Sequence, residues 1–195
     1  MPCNNFIELL VIRLELMFDL EKVIEGCIKN KRKAQIELYN QYAPSLLALS
    51  VRYVSDKSEA EDILQESFLK ILKNIKEYKG KGHFENWMKK IVVNTAITHF
   101  HREKKHYYHD EIESVQDFEL PFQFTPDKEL EMKELNELLK TMPDGYRIIF
   151  NLFAIEGYKH NEIAEQLNIE ESTSRTQYLR AKNWIIKEMK KRNWI

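Results

Sequence analysis

Glycine and proline are scarce in this chain, with five of each among 195 residues. So few turn-forming positions leave little room for a protein built of short strands and tight hairpins. Leu, Ile, Glu and Lys abound instead, and the expected fold class is all-α. Cysteine is rarer still. Cys3 and Cys27 stand alone at no metal-ligand spacing, which excludes a disulfide framework and fits a reducing, cytoplasmic setting. Long apolar runs are missing too. The longest, from Phe6 to Phe18, contains Glu8, Arg13 and Glu15; it is too short and too charged for a membrane span and lacks the basic start of a signal peptide. Met17 stands just before a cleaner amphipathic stretch. The expectation is that Met17 is the natural start and residues 1–16 a mis-called extension, which mass spectrometry of the native N-terminus decides.

Signs of an enzyme are lacking as well. The stretch Lys79-Gly80-Lys81-Gly82-His83 does not have the spacing of a phosphate-cradling loop and follows no strand. No nucleophile motif is present. His99, His101, His106 and His109 cluster in sequence, but the first two are i, i+2 on a helical stretch and point to different sides. No Cys or carboxylate completes a ligand set. Neither a metal nor a cofactor is expected.

An excess of either charge is absent overall, since 30 Lys and Arg stand against 31 Asp and Glu. The distribution is uneven. Residues 70–105 hold ten Lys or Arg against Glu77, Glu85 and Glu103. Residues 106–126 hold five acids and no Lys or Arg. Residues 172–195 hold seven bases against Glu188. Two basic surfaces are thus separated by an acidic connector, a pattern that need not bind bare DNA strongly.

Hydrophobic periodicity places the helices. Leu20 to Ile28 is short, with Leu20, Val23, Ile24 and Cys27 on one side. Ala34 to Tyr53 carries Ile36, Leu38, Tyr39, Tyr42, Leu46, Leu49 and Tyr53 as its apolar stripe. Asp56 begins a helix over Ser58 to Tyr78, which keeps Ile63 or Leu64, Phe68, Ile71, Ile75 and Tyr78 on one face. Its opposite face shows Asp62, Gln65, Glu66, Lys70 and Lys73. Two glycines end it. Phe84 to Glu103 follows, burying Phe84, Trp87, Met88, Ile91, Val92 and Thr95. His106 to Pro126 has no period and reads as a linker. Asp127 to Thr141 is helical, and Pro143-Asp144-Gly145 turns the chain.

The run from Gly157 to Lys182 is the most informative. Ile163, Ala164 and Leu167 face inward on one helix. Asn168 suits a left-handed corner. Glu170 and Glu171 set negative charge at the positive start of a second helix, which exposes Thr173, Arg175, Thr176, Gln177, Arg180 and Lys182. That second helix is expected to bury Ile169, Tyr178 or Leu179, and Trp184. The pattern is a helix-turn-helix, whose second helix enters the DNA major groove. Ser174 departs from the pattern, because an apolar residue usually anchors that position.

Two further stretches, SEAEDILQESFLKIL (58–72) and FENWMKKIVVNTAITHFHR (84–102), complete a likeness. With the C-terminal run, their order and spacing resemble the extracytoplasmic-function group of sigma-70-type RNA polymerase factors over about residues 19–190. The resemblance implies a sigma-2-like domain (19–105) that binds core polymerase and opens the −10 element. It implies an acidic linker (106–126) and a sigma-4-like domain (127–195) that binds the −35 element as duplex. Residues 1–18 would be an extension.

By this resemblance Asp62, Gln65 and Glu66 dock on the clamp of the polymerase beta-prime subunit. Without it, a charged helix face is ordinarily just solvated. Tyr78 and Asn94 would line a base pocket, Lys79, Lys81 and His83 would belong to a specificity loop, and Lys89, Lys90 and Arg102 would hold phosphates. Trp87 is read as core. Thr98 stands where the family commonly has aspartate. Arg175, Thr176, Leu179 and Arg180 match positions facing −35 DNA, with Thr173, Gln177 and Lys182 on the same surface. Which arginine reads a base and which holds a phosphate stays open. Core polymerase and promoter DNA are the implied partners, with an anti-sigma protein as a regulator. The alternative is a free-standing helix-turn-helix regulator, which would bind a duplex tightly without polymerase.

Overall fold

The computed structural model describes residues 18–80, 82–103 and 137–192, all in helices and short connections. Helix α1 (Leu20–Ile28) begins at Asp19, whose carboxylate accepts from the Lys22 N–H. Asn30, in a left-handed conformation, turns the chain into α2 (Arg32–Val51). The two helices meet at a glycine. A Cβ on Gly26 would lie 2.5 Å from the Ala34 Cβ, so only glycine permits this approach.

Helix α3 (Lys57–Asn74) is capped by Asp56, which accepts from the N–H groups of Ser58 (2.7 Å) and Glu59 (3.2 Å). A 3-10 turn, Ile75–Glu77, ends it. Helix α4 runs Phe84–Glu103, the bounds that periodicity predicted. Leu38, Leu46, Ile63, Ile71, Met88 and Val92 are among the buried residues that join these helices in one core. The stripe expected on α2 needs correction at two points. Ile36 and Tyr39 are 50% and 40% exposed, while Ala34, Ala43 and Ser50 are buried. Ala34 admits the close approach of α1 at Gly26, and Ile36 and Tyr39 turn outward while Leu38, Leu46 and Leu49 stay in the core.

A helical piece at 137–140 precedes α5 (Asp144–Phe150). A π-helical segment, Asn151–Ile155, continues α5. Gly157, at φ +77°, turns the chain into α6 (His160–Leu167) and then α7 (Glu171–Lys191). Leu138, Leu139, Met142, Ala181 and Ile185 form a smaller core of their own. Ile148, Ile149, Leu152, Ile163 and Leu167 join the larger core with α1 to α4. The linker expected at 106–126 and the extension lie outside the described residues, as does most of the helix expected at 127–141. No helix among the described residues is long and apolar enough to cross a membrane.

Candidate nucleic-acid interface

The corner between α6 and α7 has the expected form. Asn168 sits at φ 52°, ψ 51°, and its left-handed backbone lets the Ile169 N–H donate to the Ala164 carbonyl at 3.0 Å. Ile163, Ala164 and Leu167 are buried beneath it. Glu162 accepts from the Lys159 N–H at 2.7 Å, closing the start of α6.

On α7 the buried positions are Ser174, Ala181 and Ile185, with Tyr178 and Trp184 partly covered. Positions 174, 178, 181 and 185 form one helical stripe. Ala181 and Ile185 thus take the place expected of Trp184, one step along. Ser174 is fully buried, and its Oγ lies 3.0 Å from His160 Nδ1. The His160 ring stacks on Phe153 at 4.1 Å between centroids. A polar pair therefore fills the site where an apolar anchor was expected. The departure at Ser174 was the sequence signal for it, but its histidine partner was not foreseen.

Arg175 and Thr176 are exposed on α7, and Thr173, Gln177, Leu179, Arg180 and Lys182 are half-buried. Arg175 pairs with Glu171 one turn earlier. Such an exposed pair is cheap to exchange for a phosphate or a base edge.

The second cluster lies at the start of α4. Tyr78, Phe84 and Trp87 form an aromatic group, with centroids 4.9 Å apart for Tyr78–Phe84, 5.7 Å for Tyr78–Trp87 and 5.5 Å for Phe84–Trp87. Tyr78 Oη donates to the Gly82 carbonyl at 2.7 Å, tying the glycine loop to the aromatic group. Gly80 and Gly82 have φ of +69° and +79°, which glycine adopts without strain. Lys79 and His83 are exposed beside them, and Lys81 lies outside the described residues. Trp87 is half-buried against the core, so one face packs and the rest reaches the surface. Trp87, Ile91 and Asn94 lie on one stripe of α4, and Asn94 is exposed. Lys90 is exposed, while Lys89 pairs with Glu85 at 2.8 Å.

The third face is on α3. Asp62 and Gln65 are exposed, and Leu69 between Gln65 and Lys73 is 70% exposed. Positions 62, 65, 66, 69 and 73 share one side of the helix. Sequence reasoning passed over Leu69; an apolar residue on a charged stripe was its signal. Tyr39 lies alongside, its ring edge-on to Phe68 at 4.8 Å. Glu66 accepts from Lys70 at 2.9 Å and from Arg102 at 3.2 Å. Its carboxyl is held below the usual range, first by the Lys70 hydrogen bond and further by Arg102. Among the described residues no group of His, Cys, Asp or Glu is arranged to hold a metal ion; His106 and His109 lie outside them.

Taken together, the fold and these faces define a helical DNA-binding protein of the helix-turn-helix class. Comparison with known proteins narrows the class. A family profile for Sigma-70 region 2 matches residues 38–106, and one for Sigma-70, region 4 matches residues 132–185. The RNA polymerase sigma factor SigV of Bacillus subtilis is 32% identical over 135 residues, covering 68% of this chain and 77% of that protein. The ECF RNA polymerase sigma factor SigW of the same organism is 28% identical over 188 residues, covering 91% and 99%. The chain belongs to the sigma-70 family of RNA polymerase sigma factors, in its extracytoplasmic-function group. Among solved structures, the sigma factor RpoE in complex with the anti-sigma factor NepR from Bartonella quintana aligns at 20% identity. Its TM-score is 0.47, covering 79% of this chain and 95% of that one.

Proposed function

We propose that this sigma factor docks on core RNA polymerase through the exposed side of α3 and directs initiation by contacting two promoter elements. In this reading the docking face is Asp62, Gln65 and Glu66 around Leu69, an apolar centre within a charged rim, as protein interfaces usually are. Opening a duplex requires somewhere for an unstacked base to rest, and aromatic rings with polar edges supply it. Tyr78 and Trp87, with Asn94 further along the same stripe, offer that surface. Lys79 and His83 flank it, Lys81 belongs to the same loop by sequence, and Lys89, Lys90 and Arg102 hold phosphates. The upstream element is read as duplex by α7, through Arg175, Thr176, Leu179 and Arg180, with Thr173, Gln177 and Lys182 alongside.

One observation carries the reading. A single chain presents both an aromatic cluster beside a glycine loop, suited to single strands, and a helix-turn-helix, suited to duplex. A free-standing regulator needs only the second. The protein acts in the cytoplasm with polymerase, is not an enzyme, and is open to control by an anti-sigma protein.

Run-off transcription with core polymerase on fragmented genomic DNA tests this. Defined transcripts should require the protein and vanish in an Arg175→Ala, Arg180→Ala variant. Tight duplex binding without polymerase, and no transcripts, would establish the free-standing regulator instead.

A further inference from the structure

Helix α7 must approach a phosphate-lined groove in the reading above, yet it opens on an acid, Glu171. From there to Lys187 it contains no other acidic residue. A negative charge at a helix start complements the dipole, a role that needs only its position. The side chain does something further. It runs along the helix, and its Oε1 accepts from Arg175 Nη2 one turn on. Both groups stay in contact with solvent, Glu171 at 45% and Arg175 at 64% exposure. The backbone that carries the pair is fixed. Ser174, next to Arg175, is fully buried and its Oγ lies 3.0 Å from His160 Nδ1 on α6. The pair therefore stands at the corner of the helix-turn-helix, on the turn of α7 that leads into the groove.

What such a pair does depends on where the guanidinium goes next. Arginine carries its N–H donors in a planar fork with more donors than any one acceptor group uses. A guanine edge presents two neutral acceptors, O6 and N7, and engages only part of the fork. The remaining donors can stay on Glu171, so reading guanine leaves the pair closed. A phosphate also takes the fork, but it brings a negative charge up to the Glu171 carboxylate, and like charges set side by side oppose the contact. The ion pair is weak by itself at this exposure. Its effect lies in the difference between the two destinations, which is what specificity measures. Phosphate contacts are the same at every sequence, and they dominate binding without discrimination. One turn before Arg180 stands Thr176, whose hydroxyl donates to the Ser172 carbonyl at 2.9 Å and carries no charge to make that distinction.

We propose that Glu171 is a positioning residue for duplex recognition: it holds the Arg175 guanidinium toward a guanine edge and opposes its capture by a phosphate. Arg175 is then a base reader, and Glu171 lowers overall affinity while raising sequence discrimination. Without the carboxylate, α7 binds DNA more tightly and less selectively. The inference rests on the reading of α7 as the duplex-contacting helix, and it names the base that one turn of this helix reads.

The test uses the full chain with core polymerase and a promoter found by run-off transcription, its upstream duplex element varied one base pair at a time. The wild type should favour guanine at one position by about tenfold or more, and Arg175→Ala should abolish that preference alone. Glu171→Gln should reduce the same preference by about three- to tenfold. It should also hold non-promoter duplex more tightly, with a salt dependence steeper by about one phosphate contact. In the Arg175→Ala background, Glu171→Gln should leave base preference unchanged, because the carboxylate acts through the arginine. Thermal melts check that each variant stays folded. An unchanged guanine preference in Glu171→Gln, or an equal loss at every position, would overturn the inference. So would a wild type with no guanine position that depends on Arg175. The same change in the Arg175→Ala background would overturn it too, since Glu171 would then meet a base itself. Should no promoter respond to the wild type, the sigma-factor reading fails, and the same comparison on duplexes selected by the free protein decides the role of Glu171.

Discussion

Glu66 and Arg102, 36 positions apart, close an ion pair at 3.2 Å between α3 and α4. The proposed function gives each a different partner, Glu66 polymerase and Arg102 DNA. On that proposal the pair occupies both contacts in the free protein, and docking at Glu66 should release Arg102 for a phosphate, so that binding of one partner favours the other. Arg102 is mostly exposed, and such pairs contribute about 1 kcal/mol or less to stability. Arg102→Ala should therefore leave thermal unfolding nearly unchanged while weakening promoter opening. Glu66→Gln should lower affinity for core polymerase. Permanganate footprinting of the opened strand and a polymerase pull-down separate the two effects.

The same carboxylate gives a pH dependence. Its folded pKa is depressed, first by Lys70 and then by Arg102. A depressed carboxylate contributes stability above its unfolded pKa and loses it as pH falls through the folded value. Wild type and Glu66→Gln should differ most at neutral pH and converge in acid, below the ordinary carboxylate range. Thermal melts from neutral pH downward measure this; a gap that widens in acid would refute it.

Arg147 is 2% exposed. Its guanidinium reaches the carbonyls of Tyr53, Leu139, Lys140 and Met142 and the carboxylate of Asp144. Burial lowers its pKa to about 10, opposed by Glu59 on α3, so it stays charged at neutral pH. Arg147→Met strips these acceptors of their donor and strands Asp144. The expected loss is about 3–5 kcal/mol in chemical denaturation, typical of breaking a buried ion pair from one side. Lysine should rescue little, since it lacks the planar fork.

Much of this was legible in the sequence, and the parts that were not have a common cause. The bounds of α4, the left-handed Asn168 and the inward set Ile163, Ala164 and Leu167 follow from local pattern, because helix period and turn chemistry are local properties. Arg147 does not, because its partners combine residues 139–144 with Tyr53, more than 90 positions away. Its one signal was a charge inside the apolar run Tyr146 to Phe150. The outward turn of Ile36 and Tyr39 was hidden too, since it depends on which neighbours α2 accepts. At Ser174 the sequence showed the exception, and only packing showed His160 as its answer.

Asn168 gives a test of the helix-turn-helix corner on its own. A β-carbon at φ 52° costs roughly 1 kcal/mol, which asparagine offsets better than alanine and glycine avoids. Asn168→Ala should lower stability by about 1 kcal/mol and weaken duplex binding with it. Asn168→Gly should retain both. Equal melting temperatures for the alanine and glycine variants would mean the corner does not set the angle between α6 and α7.

His160 links that angle to pH. Its pKa is lowered, first by burial and then by Arg175, with Glu171 opposing; Phe153, Ser174 and Tyr178 complete its surroundings. A histidine with a depressed folded pKa binds its proton more readily when unfolded. Stability therefore rises as pH climbs from the folded pKa to the unfolded value of about 6.5, and falls as pH drops through that window. The bond to Ser174 holds α7 against α6, so loss of the neutral ring should loosen the recognition helix before the rest of the protein unfolds. Hydrogen exchange along α7 should quicken as pH is lowered through this window, after correction for the intrinsic rate. His160→Gln keeps a polar group near Ser174 without a proton to gain and should flatten the profile. Ser174→Ala should keep the titration but raise exchange at every pH. A wild-type profile already flat in this window would separate His160 from the positioning of α7.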